Sequence, residues 1–139
     1  AAAGVVFAAA VADWRVKTAS EQKLKKSKDG LPTLDFAENP DILATLGRHA
    51  QRPVLLIGFA AESSNIEEEG RKKLLDKKLD LIAVNDISSA SAGFEVDNNQ
   101  ITLIDSFQVV KLLHTSKLQT ADLIWDHVVS NEMLKTDRP

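Results

Sequence analysis

The chain has 139 residues, of which 44% are hydrophobic and 27% are charged, as is ordinary for one globular domain. It has no cysteine, which excludes a disulfide framework and any thiolate metal site. The net charge of −3 gives no reason to expect a nucleic-acid partner or binding to a membrane surface. We therefore predict a single domain over residues 1–139.

The first segment of the chain is small and apolar. A continuous apolar run of strand length, Val5 to Ala12, predicts a strand buried on both faces of a parallel sheet. A signal peptide is a poorer interpretation, because the run lacks a basic start and leads directly into Asp13, Trp14 and Arg15. Since the chain begins in mid-strand without a methionine, we expect it to be a fragment.

The middle of the chain alternates between apolar runs and helix signals. We predict a small hairpin near Thr33–Phe36, inside a basic loop from Arg15 to Glu38. Next we predict a helix that is capped by Asn39 and runs from Pro40 to about Ala50, followed by a strand over Val54–Ala60. A second helix is predicted over Asn65–Lys78, and a capping box of Ser64 and Glu67 opens it. A further strand is predicted over Asp80–Val84.

The last third of the chain changes pattern. We predict a hairpin of Phe94–Val96 with Ile101–Ile104, a strand within Phe107–Leu112 and a helix over about Gln119–Leu134. Short connections between alternating strands and helices favour right-handed parallel crossovers. The predicted fold class is α/β: a Rossmann-like, mainly parallel sheet with helices on both faces and a C-terminal antiparallel hairpin extension.

Polar residues follow the predicted strands at one edge of the sheet, where open parallel sheets bind ligands. The predicted crevice is lined by Asp13, by Phe59 or Glu62, and by Asn85. Asp13 is suited to a ribose hydroxyl or a metal, and equally to a strand-end cap. Phe59 is suited to stacking on a base, or to the core. The residues alone leave these alternatives open.

Two groups of lysines could hold an anion. One lies in the predicted loop and is able to close over a phosphate, although a solvated loop is the simpler interpretation; it comprises Lys17, Lys23, Lys25, Lys26 and Lys28. Lys73 and Lys77 project from one helix face, where they grip an anionic ligand or are solvated. The chain has no Gly-rich phosphate loop and no serine nucleophile elbow, and the spacing of its histidines suggests no metal site.

Six segments, in order along nearly the whole chain, resemble phosphopantothenoylcysteine synthetase. They are AAAVADWR (8–15), KLKK (23–26), ENPDIL (38–43), GFAAES (58–63), RKKLLDKKLDLIAVND (71–86) and GFEVDNN (93–99). The tryptophan of the first segment and the lysine loop after it are similar to the bacterial, CTP-using branch. The family's Gly-Gly-Thr phosphate-binding turn and its later asparagine are not in this chain.

The resemblance implies a cytoplasmic, Rossmann-like homodimer that activates 4'-phosphopantothenate with CTP and Mg²⁺, and releases pyrophosphate. The amine of L-cysteine then attacks the acyl-cytidylate and CMP leaves. FMN, and an assembly larger than a dimer, are implied only if the chain is fused behind a flavin-dependent decarboxylase.

The resemblance also implies which residues bind the nucleotide. By this match Lys23 is catalytic, and the nucleotide contacts are Phe7, Ala8, Ala9, Asp13, Lys23, Pro40, Asp41, Ile42, Leu43, Phe59, Lys73 and Lys77. The match names no residue that ligates a metal.

Two other functions compete with a ligase. A fragment of another Rossmann-type enzyme, such as a dehydrogenase, has the same strand pattern but needs a Gly-rich turn, which this chain does not contain. A non-enzymatic interaction module would use Lys17 to Lys28 to dock an acidic partner.

Overall fold

The computed structural model describes residues 3–20, 22–23, 33–88, 98–112 and 115–135. Its strands are β1 Gly4–Phe7, β2 Trp14–Val16, β3 Phe36–Glu38, β4 Leu55–Glu62, β5 Leu81–Asp86, β6 Asn98–Asn99, β7 Ile101–Ile104, β8 Val109–Lys111 and β9 Thr115–Ser116. Its helices are α1 Ile42–Gly47, α2 Ile66–Asp76 and α3 Lys117–Ser130. The chain divides into two compact units, Ala1–Ala9 with Ile42–Pro139, and Ala10–Asp41.

The first unit contains a five-stranded sheet in the order β1-β4-β5-β7-β8. The first three strands run parallel, as the alternation of strands and helices predicted. β7 is antiparallel to β5, and β8 is antiparallel to β7. The mainly parallel α/β fold with an antiparallel hairpin extension is confirmed, although the hairpin is formed by β7 and β8. The predicted partner strand at residues 94–96 lies outside the described residues.

Hydrophobic side chains fill both faces of this sheet because successive strand residues point to opposite sides. One cluster packs beneath α1 and α2 and contains Leu43, Leu56, Leu74, Leu79, Ile82, Val84 and Ile104. The other packs beneath α3 and contains Leu55, Ile57, Leu81, Ala83, Ile101, Leu103, Ile124, Val128 and Met133. The prediction of helices on both faces is therefore confirmed.

The first strand is shorter and less buried than its sequence predicted. β1 ends at Phe7, whereas the apolar run continues to Ala12. Residues of β1 alternate between exposed and half-buried, because β1 lies at an edge of the described sheet and pairs there with β4. An apolar run of this length therefore indicates a strand, but it does not show that the strand is buried on both faces.

Two predicted helix starts are wrong. Asn39 does not cap a helix: its Nδ2 donates to Ala12 O at 2.7 Å, and its Oδ1 accepts from Arg15 Nη1 at 3.1 Å. α1 instead begins at Ile42. The capping box of Ser64 and Glu67 is also absent, since α2 is preceded by Asn65 in the left-handed conformation (φ 49°), with no side-chain cap. A true capping box precedes α3, where the Ser116 hydroxyl accepts from Gln119 N at 3.3 Å.

A close backbone approach fixes the end of α2 against the end of α1. A Cβ added at Gly47 would lie 2.0 Å from the carbonyl oxygen of Lys77, so no larger residue fits without a backbone shift. Beside it, Arg48 Nη2 donates to Asp76 O at 2.7 Å. The position of Lys77 is thereby set by α1.

The second unit contains a two-stranded antiparallel ladder of β2 and β3. The sequence predicted a small hairpin near residues 33–36, and β3 overlaps that stretch only at Phe36. The ladder is extended by a bond from Lys17 N to Asp35 O at 2.8 Å. None of the helices within the described residues is both long enough and apolar enough to cross a membrane.

Candidate functional site

The carboxyl edge of the parallel strands carries polar and aromatic side chains, as expected for a ligand crevice. Phe59 of β4 is 38% exposed. It follows the alternation of Leu55 and Ile57 and therefore lies on the α3 side of the sheet. Glu62, three residues further on, lies on the α2 side. The structure thus places these two predicted residues at one edge but on opposite faces of the sheet.

Lys73 and Lys77 lie on α2 and at its C-terminal cap, one turn apart. The ammonium of Lys73 makes an ion pair with the carboxylate of Glu62 at the end of β4. The Lys73 side chain is 37% exposed and that of Glu62 is 17% exposed, so the pair is only partly screened by water. An anionic ligand that binds Lys73 must compete with the carboxylate of Glu62 for the ammonium group.

Two apolar members of the predicted site, Phe7 and Leu43, lie beside Gly58. Phe7 is the register partner of Gly58 and packs against the cluster beneath α1 and α2. A Cβ added at Gly58 would lie 2.8 Å from Leu43 Cδ2. Leu43 is only 6% exposed, so its side chain belongs to the core, and its backbone is the part left for a ligand. Ala8, Ala9 and Ile42 are exposed.

The remaining predicted site residues lie in the second unit. The carbonyl oxygen of Asp13 accepts a hydrogen bond from Asn39 N at 2.8 Å, which brings Asp13 beside the turn that leads to Pro40 and Asp41. Lys23 is exposed, and next to it in sequence Gln22 O accepts a hydrogen bond from Ser20 Oγ at 2.7 Å. The loop lysines at 25, 26 and 28 lie outside the described residues.

Among the described residues, the carboxylates of Asp86 and Asp105 have a shifted pKa. A hydrogen bond from the Ser88 hydroxyl, joined by one from Ser88 N–H and by the nearby charge of Lys111, lowers the pKa of Asp86 below its ordinary value. Burial raises the pKa of Asp105, but hydrogen bonds from Phe107 N, His127 and Gln108 N outweigh burial and lower it overall. In the part of the chain that the structure describes, no three His, Asp or Glu side chains are grouped so as to hold a metal ion.

The sequence did not predict two features of the structure. One is a cavity of about 360 Å³ at the start of α2, lined by Asn65, Ile66, Glu67, Glu68, Thr102 and Lys111. The sequence contains one sign of this cavity, since the polar residues Thr102 and Lys111 interrupt the apolar strands β7 and β8. The other is a buried pair of Asp105 and His127, whose residues are 22 apart in sequence, so no local pattern reveals it.

The sequence matches known proteins along most of its length. Residues 1–131 match the family described as DNA/pantothenate metabolism flavoprotein C-terminal domain. The chain is 38% identical over 129 residues, 92% of its length, to the coenzyme A biosynthesis bifunctional protein CoaBC of Vibrio cholerae. It is 46% identical over 99 residues, 71% of its length, to the protein of the same name from Bacillus subtilis. It spans 32% and 24% of those relatives' own lengths.

Solved structures show the same architecture. A crystal structure of the C-terminal domain of coenzyme A biosynthesis bifunctional protein CoaBC is 31% identical, with a TM-score of 0.67. The match covers 90% of this chain and 52% of that one. A DNA/pantothenate metabolism flavoprotein from Streptococcus pneumoniae has a TM-score of 0.68 at 20% identity, which supports the fold alone.

Proposed function

Because this chain belongs to the DNA/pantothenate metabolism flavoprotein C-terminal domain family, we propose that it acts in coenzyme A biosynthesis, as part of a ligase that joins 4'-phosphopantothenate to L-cysteine with CTP. The observation that carries the proposal is the 46% identity to a Bacillus subtilis protein whose name includes coenzyme A biosynthesis. We propose that the complete enzyme has the synthetase activity and that this chain forms part of that enzyme.

The proposed reaction has two steps. The carboxylate oxygen of 4'-phosphopantothenate attacks the α-phosphorus of CTP, forming a mixed anhydride and releasing pyrophosphate. The amine of cysteine then attacks the acyl carbon, the C–O bond to CMP breaks, and the amine loses a proton as the amide forms. Both steps develop negative charge on phosphate oxygens, which positioned cations stabilise.

We assign the chain's residues to these steps as follows. Lys73 and Lys77 bind phosphate oxygens of CTP, Phe59 stacks on the cytosine, and Lys23 contacts the reacting phosphoryl or carboxylate group. The proposed assignment of Asp13 is to the ribose hydroxyls. Backbone atoms of residues 7–9 and 40–43 complete the nucleotide contacts. Mg²⁺ usually binds through phosphates and one or two carboxylates, so the triphosphate supplies most of its ligands.

The proposal is tested by ligand-dependent stability and by turnover. A ligand that binds the native state raises the melting temperature, by a free energy that grows with its concentration above Kd. We expect CTP with Mg²⁺ to raise it more than ATP or NAD at equal concentration. In the complete enzyme, pyrophosphate should appear when both CTP and 4'-phosphopantothenate are present. Stabilisation by NAD in place of CTP would instead support a dehydrogenase fragment.

Single alanine changes at Lys73 and Lys77 should raise the KM for CTP more than the KM for cysteine. Each removes a cation from the nucleotide, whereas cysteine enters after the nucleotide has reacted. Lys73→Ala should have the larger effect, since it also leaves the carboxylate of Glu62 without its partner. Lys72→Ala, on an exposed part of the same helix, is the matched control. Equal changes in KM for both substrates would point to a folding role.

We also propose that the chain forms a homodimer through the β2–β3 ladder. Trp14 and Val16 lie on one face of β2, and Phe36 is the register partner of Val16, so all three share a face. Their exposed fractions are 57%, 37% and 60%. A two-stranded ladder is marginally stable alone in water, and a second copy would cover this apolar face. The molecular mass in solution, compared with that of Trp14→Lys, tests the assignment.

A further inference from the structure

The cavity at the start of α2 lies between that helix and the antiparallel strands. Its walls are Asn65, Ile66, Glu67 and Glu68 from the helix start, Thr102 from β7 and Lys111 from β8. Thr102 and Lys111 are register partners, so their side chains lie on the same face of the sheet. Thr102 is also the register partner of Val84, one residue before Asn85. The cavity therefore adjoins the carboxyl end of β5.

Opposite charges line this cavity without neutralising each other. Glu67 forms an ion pair with Arg71, whose Nε lies 3.3 Å from Glu67 Oε1. Glu68 and Lys111, in contrast, form no ion pair within the described part of the chain. The side chain of Lys111 does carry its charge toward this edge, because it contributes to lowering the pKa of Asp86. A ligand with both a negative and a positive group is able to satisfy both side chains at once.

A hydroxyl adds a third polar group. Thr102 is 4% exposed overall and lines the cavity, so its hydroxyl is a hydrogen-bonding group within reach of a ligand there. The start of α2 also presents N–H groups and a positive dipole end to the cavity, which favour an anionic group.

We propose that this cavity binds a zwitterionic α-amino acid. The carboxylate lies near Lys111 and the first N–H groups of α2, the ammonium lies near Glu68, and the Thr102 hydroxyl bonds to either group. A volume of about 360 Å³ falls within the range of small-molecule sites. Resting on the proposed ligase function, the amino acid is the cysteine that supplies the amine.

The experiment compares L-cysteine with cysteamine, which has the same amine and thiol but no carboxylate. In the complete enzyme, Lys111→Met should raise the KM for L-cysteine about tenfold or more, since a hydrogen bond to a charged group is lost. It should leave the KM for cysteamine and for CTP within about twofold. Glu68→Gln should raise the KM for both amines. Lys117→Met, an exposed lysine on α3 outside the cavity, is the control.

The outcomes separate the two proposals. If the wild-type enzyme releases no pyrophosphate with CTP and 4'-phosphopantothenate, the ligase proposal fails. If it does so but Lys111→Met leaves the preference for L-cysteine over cysteamine unchanged, the amino-acid site is refuted and the ligase stands. Thr102→Val keeps the shape of the side chain, and an unchanged KM for L-cysteine in that variant would remove the hydroxyl from the site. Circular dichroism of each variant identifies any loss of folding.

Discussion

Replacing Lys23 by glutamine is expected to slow pyrophosphate release by about 100-fold or more in the complete enzyme, while leaving the protein folded. Lys23 is exposed and forms no ion pair in the described part of the chain, so its charge is not committed to the fold. Loss of one donor that stabilises charge in a transition state typically costs 10²- to 10³-fold in rate. Glutamine keeps the length of the side chain nearly unchanged and removes the cation.

A comparison with Lys17 makes this test specific. Lys17 belongs to the same unit, and its backbone N bonds to Asp35 O, while its exposed side chain has no assigned role. Lys17→Gln changes the net charge by the same amount and should leave the rate within about twofold. A Lys23→Gln enzyme with the wild-type rate would exclude Lys23 from the mechanism. Equal losses in both variants would indicate a general electrostatic effect of the loop.

The parts of the fold that sequence predicted well are those governed by apolar periodicity. β4 and β5 are continuous apolar runs, and both are fully buried over their first four residues. The parts that it predicted poorly depend on non-local partners. Asn39 has the chemistry of a helix cap, but contacts with Ala12 and Arg15 engage its side chain instead. A cap preference cannot reveal such competition from residues about 25 positions away.

The same distinction applies to the candidate site. The i, i+4 spacing of Lys73 and Lys77 predicted a shared helix face, which depends on local geometry alone. The ion pair of Lys73 with Glu62 depends on how α2 packs on β4, and so was not predicted. The amino-acid cavity requires α2, β7 and β8 together, so its members show no common spacing in sequence.

The second large effect is expected for the pair of Asp105 and His127. Asp105 Oδ1 accepts hydrogen bonds from Phe107 N at 2.7 Å and from Gln108 N at 2.9 Å, which shape the turn between β7 and β8. Its Oδ2 lies 2.9 Å from His127 Nε2 on α3. The side chains of Asp105 and His127 are 5% and 8% exposed, so water replaces these bonds poorly. Asp105 therefore holds the turn in shape and attaches it to α3.

Asp105→Ala should lower the free energy of unfolding by about 2 to 4 kcal/mol, because it removes three hydrogen bonds, one of them to the buried imidazole of His127. Urea unfolding measures the change. Asp105→Asn keeps an acceptor for the two backbone N–H groups and should lose less. Asp122→Ala, at an exposed position of α3, is the control and should change stability by less than about 0.5 kcal/mol. A loss from Asp105→Ala no larger than that of the control would show that the pair contributes nothing to stability.

The pH dependence gives a second test of the same pair. The folded-state pKa of Asp105 is lowered, whereas in the unfolded chain it should lie near the ordinary value of about 3.9. The ionised carboxylate therefore contributes stability that is complete above the unfolded-state pKa and is lost as the pH falls through the folded-state pKa. The difference in stability between wild type and Asp105→Asn should shrink as the pH falls below about 4. A difference that persists undiminished at low pH would mean that the charge of Asp105 is not what stabilises the turn, and that the shape of the side chain alone is responsible.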